Sequence, residues 1–258
     1  CPIETPEGTE IGLRKNLALM ARISTRVSME DSHIIKEIEK SGLQKSGSKY
    51  DVFMNGIFIG GVENFDKFIS DFKEKRRRGE IPREASIRFE KKHQIIVILS
   101  DTGRVLRPLI IVDNSTSRLN EEHIYKLKKN EMKCEDLINH GIVEYIDASE
   151  EDNLLVALNK KDLTKEHTHL EIDNVAFLGP ITSLVSFGNH DQSSRLIRGS
   201  KTQKQGLGLY AANYLTRVDT DVSILHYPQQ PIVRSFVYDA LNVYPVGQNI
   251  VVAVMTYE

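Results

Sequence analysis

The run Asn189-His190-Asp191-Gln192-Ser193-Ser194-Arg195, continuing through Gly199, Lys201, Gln203, Lys204, Gln205 and Gly206, gathers side chains suited to a polyanion. Gln192 or Ser193 can cap a helix. Arg195, Arg198 and Lys201 then step at i, i+3 and i+6, and Lys204 and Gln205 extend the series. Long cations on one helical face suit a phosphate backbone. Amide side chains can bond sugar hydroxyls or base edges without adding charge. The competing reading is a solvated basic face. Two features weigh against it. Between 189 and 217 only Asp191 opposes the basic residues, so the acids that usually interleave on a solvated helix are missing. Gly199, Gly206 and Gly208 also permit close approach of a backbone to a ligand.

A second constellation is Cys1-Pro2-Ile3-Glu4-Thr5-Pro6-Glu7-Gly8, followed by Gly12-Leu13 and Lys15-Asn16-Leu17. The prolines and glycines stiffen and bend a loop that carries two carboxylates. For a generic octapeptide of this composition a rigid surface turn is the reading. The complete string is more specific, and it resembles the fork region of the second-largest, β-like subunit of multisubunit DNA-directed RNA polymerases. The basic run resembles the hybrid-binding part of the same subunit. That likeness continues through Ala211-Ala212-Asn213, Arg217-Val218-Asp219-Thr220, His226-Tyr227-Pro228-Gln229 and Gly247-Gln248-Asn249. The wording is closer to archaeal than to bacterial members. It is dense over 1–24 and 167–258 and thinner between.

The resemblance implies particular roles. Arg195 would be the catalytic contact, reaching the triphosphate of the incoming nucleotide. Lys204 and Gln205 would face the RNA–DNA hybrid, and Lys201 its backbone. Arg198 falls where the family varies and is carried as a nucleic-acid contact. Glu7 would lie near the addition site. A carboxylate does not bind phosphate, so Glu7 would orient an arginine or accept hydrogen bonds from a base or sugar. The implied reaction is RNA chain elongation assisted by Mg²⁺, held mainly by the largest subunit and not by this segment. The implied partners are that largest subunit, the other core subunits, the DNA template, the hybrid and nucleoside triphosphates. No membrane is involved, and the implied location is cytoplasmic. The fragment alone would be inactive. Two rival readings remain: a non-enzymatic module gripping RNA or RNA–DNA hybrid, and a scaffold segment docking an acidic protein.

Two further groups carry titratable chemistry. In His167-Thr168-His169 an HxH on a strand would place both rings on one face, a metal pair or a buried hydrogen-bonded pair. The second reading is preferred, because no set of three or four ligands is visible, so no metal residue is assigned. Lys73-Glu74-Lys75-Arg76-Arg77-Arg78 could grip nucleic acid. The preferred reading is the solvated end of an amphipathic helix, where cations complement the helix dipole.

These residues need elements to hold them. A helix is expected over 31–41, with Ile34, Ile35 and Ile38 on one face and Gly42 at its end. Val52–Ile59 reads as a hairpin around Asn55-Gly56. Asn64 caps a helix whose Phe65, Phe68, Ile69 and Phe72 form a core stripe, closed by Gly79. Strands are expected at Ser86–Phe89, Gln94–Leu99 and Val105–Val112, and short helices at Glu121–Leu127 and Cys134–Asn139. Ile142–Ile146 reads as a strand with Leu154–Leu158 as its partner, and two late strands fall at Ser223–Tyr227 and Ile250–Met255. Glu150 to Asp173 is rich in acids.

The fold class is therefore α+β, a multi-module segment of mixed small sheets and short helices and not a single doubly wound sheet. The modules expected are 1–24 (end of the fork), 25–110 and 111–166 (two external modules) and 167–258 (hybrid-binding). The net charge of −2 leaves any basic surface local. Cys1 and Cys134 form no CxxC pair, which excludes a zinc knuckle or disulfide framework. No apolar run reaches membrane-spanning length. The start at Cys1 and the stop just after Met255 both read as cuts in a longer chain.

Overall fold

The computed structural model describes residues 1–25, 31–45, 48–205, 213 and 215–256. Gly206, Gly208 and Ala211-Ala212, which belong to the expected hybrid-binding run, lie outside the described residues. Contacts divide the chain into two compact units, Met20–Asn174 and Cys1–Leu19 with Val175–Glu258. The chain is α+β with mixed small sheets.

In Met20–Asn174 the elements are β1 (Arg22–Ile23), α1 (Asp31–Glu39), β2 (Tyr50–Met54), β3 (Ile57–Val62), α2 (Phe65–Arg78), β4 (Ser86–Glu90), β5 (Ile95–Leu99) and β6 (Val105–Asp113). They continue with β7 (Thr116–Ser117), α3 (Glu121–Lys128), α4 (Cys134–Asn139), β8 (Val143–Asp147), α5 (Ala148–Glu151), β9 (Val156–Ala157) and β10 (His169–Leu170). One sheet runs β3-β2-β5-β4, with β2 and β5 parallel and the outer pairs antiparallel. Its hairpin turn holds Asn55 at φ 49° and Gly56 at φ 82°. Both values are positive, as a two-residue turn matched to strand twist requires. Helices α1 and α2 cover this sheet through Ile34, Ile38, Phe68 and Phe72, which pack with Val52, Ile96 and Ile98 in one core. The side chain of Asn64 accepts the Lys67 amide at 3.0 Å, and Gly79 ends α2 in the left-handed region.

The second sheet is built around β6, which pairs with β1, β7, β8 and β10. Here one expected pairing fails. Leu154–Leu158 is not the partner of the preceding strand, because β8 pairs with β6 instead. Asp147 accepts the Glu150 amide at 2.8 Å and turns the chain into α5 directly after β8. This leaves no hairpin between the two segments. Only Val156–Ala157 of the second segment is a strand, and it runs parallel to β10.

The basic end of α2 is solvated only in part: Arg78 is exposed, Lys73, Lys75 and Arg77 are half-buried and Arg76 is buried. Arg76 lies at i+8 from Phe68 and i+4 from Phe72, so it continues the buried stripe, and it is 1% exposed. Its guanidinium meets Glu150 at 2.6 Å and Glu144 at 2.9 Å. Arg77 meets the same Glu144 at 2.7 Å, and His169 Nε2 lies 2.9 Å from it. Burial pushes the Glu144 carboxyl up, but Arg76, His169 and Arg77 outweigh that and hold it well below the usual carboxylate range. For Arg76 burial opposes the charge, and Glu150 and Glu144 more than restore it. The expected acidic stretch therefore supplies partners to the expected basic run. Glu151 and Glu171 extend the pattern, both pairing with Arg107 of β6.

The other unit contains α6 (Ser193–Gln205) and α7 (Phe236–Ala240). The late strands expected at Ser223–Tyr227 and Ile250–Met255 do not form: among the described residues this stretch has only an isolated bridge between Gln229 and Gly247. A strand needs a hydrogen-bonded neighbour, and neither segment finds one there. No helix among the described residues is long and apolar enough to cross a membrane.

Candidate nucleic-acid interface

Helix α6 starts where the Gln192 carbonyl accepts the amides of Arg195 and Leu196. Leu196, Ile197 and Ser200 are buried and fix which side faces the protein. Arg195, Arg198, Lys201, Lys204 and Gln205 are all exposed as residues. Arg195 and Arg198 line a groove of about 570 Å³ with Gly199, Thr202, Gln203 and Val246. Among the described residues a Cβ added at Gly199 would meet nothing within 4 Å.

The cations do not share one face. At 3.6 residues per turn each i+3 step falls roughly 60° short of a full turn. From Arg195 to Lys204 the drift reaches about half a turn, so the last member points away from the first. Lys204 therefore borders the buried side, among Leu196, Ile197 and Ser200. Its Nζ lies 2.5 Å from Glu4 Oε1 and 3.2 Å from Asn16 Oδ1. Arg198, on the groove side, lies 3.5 Å from Glu7, with both side chains exposed. An exposed pair at that distance is weak and separable.

Glu4 is the residue that sequence reasoning missed. It is buried, whereas Glu7 is exposed. Its backbone carbonyl accepts the Asn16 side-chain amide at 2.6 Å, and Thr182 Oγ1 lies 3.5 Å from its Oε2. Thr182 in turn contacts Ser200 of α6 at 3.0 Å. Glu4 and Lys204 are distant in sequence, and no spacing rule joins them. The fold also packs Gly179 against this carboxylate: a Cβ there would stand 2.1 Å from Glu4 Oε2. Gly179→Ala is expected to destabilise the unit by about 1–3 kcal/mol, the usual range for overpacking. Chemical denaturation followed by circular dichroism measures this, and wild-type stability would show that the carboxylate shifts freely.

The histidine pair separates. His169 is buried in β10 against Glu144, while His167 closes a turn, its Nδ1 3.0 Å from the Thr164 amide. Among the described residues no three His, Cys, Asp or Glu side chains gather as a metal site.

Comparison with known proteins identifies the family. Four models of RNA polymerase Rpb2 match in order: domain 3 over residues 1–23, domain 4 over 52–113, domain 5 over 135–176 and domain 6 over 181–258. The chain is 40% identical to DNA-directed RNA polymerase subunit Rpo2 of Sulfolobus acidocaldarius, covering all of this chain and 24% of that protein. It is 38% identical to DNA-directed RNA polymerase III subunit RPC2 of Saccharomyces cerevisiae, covering all of the chain and 23% of the relative. It is 36% identical to DNA-directed RNA polymerase II subunit RPB2 of Encephalitozoon cuniculi, covering all of the chain and 24% of the relative. The chain thus spans about a quarter of the length of the curated relatives it matches, and the archaeal and eukaryotic identities lie close together. With matches that tile it from Cys1 onward in the order of that subunit's domains, the chain belongs to the family of second subunits of DNA-directed RNA polymerase.

Proposed function

We propose that this chain is a working segment of a DNA-directed RNA polymerase, of archaeal type, and that α6 meets the incoming ribonucleotide and the RNA–DNA hybrid. The observation that carries this reading is the open groove lined by Arg195 and Arg198 on a helix without acids. In the reaction the RNA 3′-hydroxyl attacks the α-phosphate and pyrophosphate leaves. Arg195 donates to the triphosphate, whose charge grows on the leaving oxygens. Lys201 and Gln205 contact the hybrid by charge and by amide, and Lys204 meets it from the other side of the helix. Glu7 orients Arg198 or accepts from a base or sugar. Mg²⁺ would supply charge neutralisation at the phosphates. The described residues offer no cluster for it, so no step is assigned to a metal held by this chain. The largest subunit, the other core subunits and the DNA template are the proposed partners. The modules follow as 1–24, 25–110, 111–166 and 167–258.

Filter binding of the 258-residue chain to single-stranded RNA, hybrid and duplex DNA at several salt concentrations tests the reading. The chain is expected to synthesise no RNA alone but to bind hybrid with log K falling linearly in log salt. Lys201→Ala should flatten the slope by about 0.7–0.9, one phosphate contact, and Arg195→Ala should leave it nearly unchanged. Binding to an acidic protein in preference to any nucleic acid would overturn the reading in favour of a scaffold.

A further inference from the structure

We infer that Glu4 is a positioning residue, holding Lys204 as a charge-compensated donor that meets the hybrid through one directed N–H. The inference rests on the proposed hybrid contact of Lys204. An ammonium has three N–H donors. Glu4 Oε1 at 2.5 Å and Asn16 Oδ1 at 3.2 Å take two, which leaves one for a ligand on a side chain that is 39% exposed.

The carboxylate cannot follow the lysine outward. Its side chain is 6% exposed, its Oε2 lies against Gly179 and Thr182, and its backbone is tied to Asn16. Thr182 is joined to Ser200 on the same helix as Lys204, so the anion is fixed to both loop and helix. A buried carboxylate deserted by its cation is strongly unfavourable. Lys204 therefore stays paired when a phosphate approaches. The contrast is Arg198, whose side chain is 61% exposed and whose partner Glu7 is 42% exposed at 3.5 Å. That pair opens at little cost. Arg198 and Lys201 then act as counter-ions on the nucleic acid, whereas Lys204 selects position without adding to the electrostatic grip.

Salt dependence separates the two roles, because only uncompensated cations release counter-ions. The measurement is the lifetime of elongation complexes of the complete polymerase across a KCl series. Glu4→Gln frees the lysine's charge, and should steepen the log–log slope by about 0.7–0.9. The double variant Glu4→Gln with Lys204→Met removes both charges with little change of shape, and it keeps the test open if the single variant does not assemble. It should shorten the lifetime by a similar factor at every salt and keep the wild-type slope. A shortened lifetime with a slope shallower by about one contact would show Lys204 acting as a free cation and overturn the role of Glu4 alone. So would an unchanged slope in an assembled Glu4→Gln enzyme, which would leave Glu4 a structural clip. An unchanged lifetime in the double variant would remove Lys204 from the hybrid and overturn the underlying reading as well.

Discussion

Arg76→Met is expected to destabilise the Met20–Asn174 unit by about 3–5 kcal/mol, the cost of stripping the cation from a buried ion cluster. The substitution keeps most of the bulk, so the loss is electrostatic. It leaves Glu150, which is 0% exposed, and Glu144 with only Arg77, His169 and Lys73 for compensation. Against a typical domain stability of about 5–15 kcal/mol this decides whether the unit folds at physiological temperature.

The pH dependence has a definite sign. The wild-type Glu144 carboxyl is held below its ordinary value of 4.5, so its favourable contribution is complete above that pH. It is lost as pH falls through the depressed folded value. In the variant the Glu144 carboxyl is buried without Arg76, its pKa rises, and protonation relieves it. The stability gap between the two proteins should therefore be widest at neutral pH and should narrow on acidification. Urea denaturation at pH 7 and pH 4, followed by far-ultraviolet circular dichroism, reads both effects. Circular dichroism is the right signal because the chain has no tryptophan. A gap that is constant with pH would mean that lost packing, and not charge, dominates.

Arg195→Ala in the complete polymerase should slow nucleotide addition on the order of 10²-fold, a loss typical of one donor to developing negative charge. Hybrid retention should change far less, because several groups share that load while Arg195 acts at the triphosphate. The exposed guanidinium has no buried anchor among the described residues, so folding should be unaffected. Rapid-quench measurement of single additions at limiting nucleotide tests this. Equal rates for variant and wild type would sink the assignment.

The local elements were legible because their signals lie within a few residues. Asn55-Gly56 marked the hairpin, Asn64 and Gly79 bounded α2, and Phe68 and Phe72 marked its inner face, all as found. The motif strings carried the family. Continuing the Phe68–Phe72 stripe by one more turn would have flagged Arg76 as buried. Charge alone argued for a solvated end, which holds for Arg78 and fails at Arg76 because the compensating acids sit on β8 and α5. The i+3 spacing of the basic helix suggested a single face, and the drift of about 60° per step turned Lys204 away from Arg195.

The sequence by itself thus determined where α1, α2 and α6 run, where the hairpin turns and which family the chain resembles. Each of these depends on backbone preferences and neighbours within a turn or two. Only the tertiary structure decided that β8 pairs with β6, that Arg76 is buried between Glu144 and Glu150, and that Glu4 holds Lys204. Strand pairing and ion pairing depend on which distant segments meet, and burial then makes those meetings energetically decisive. A charge in water tolerates any partner or none, whereas a charge enclosed by the fold must have the one beside it.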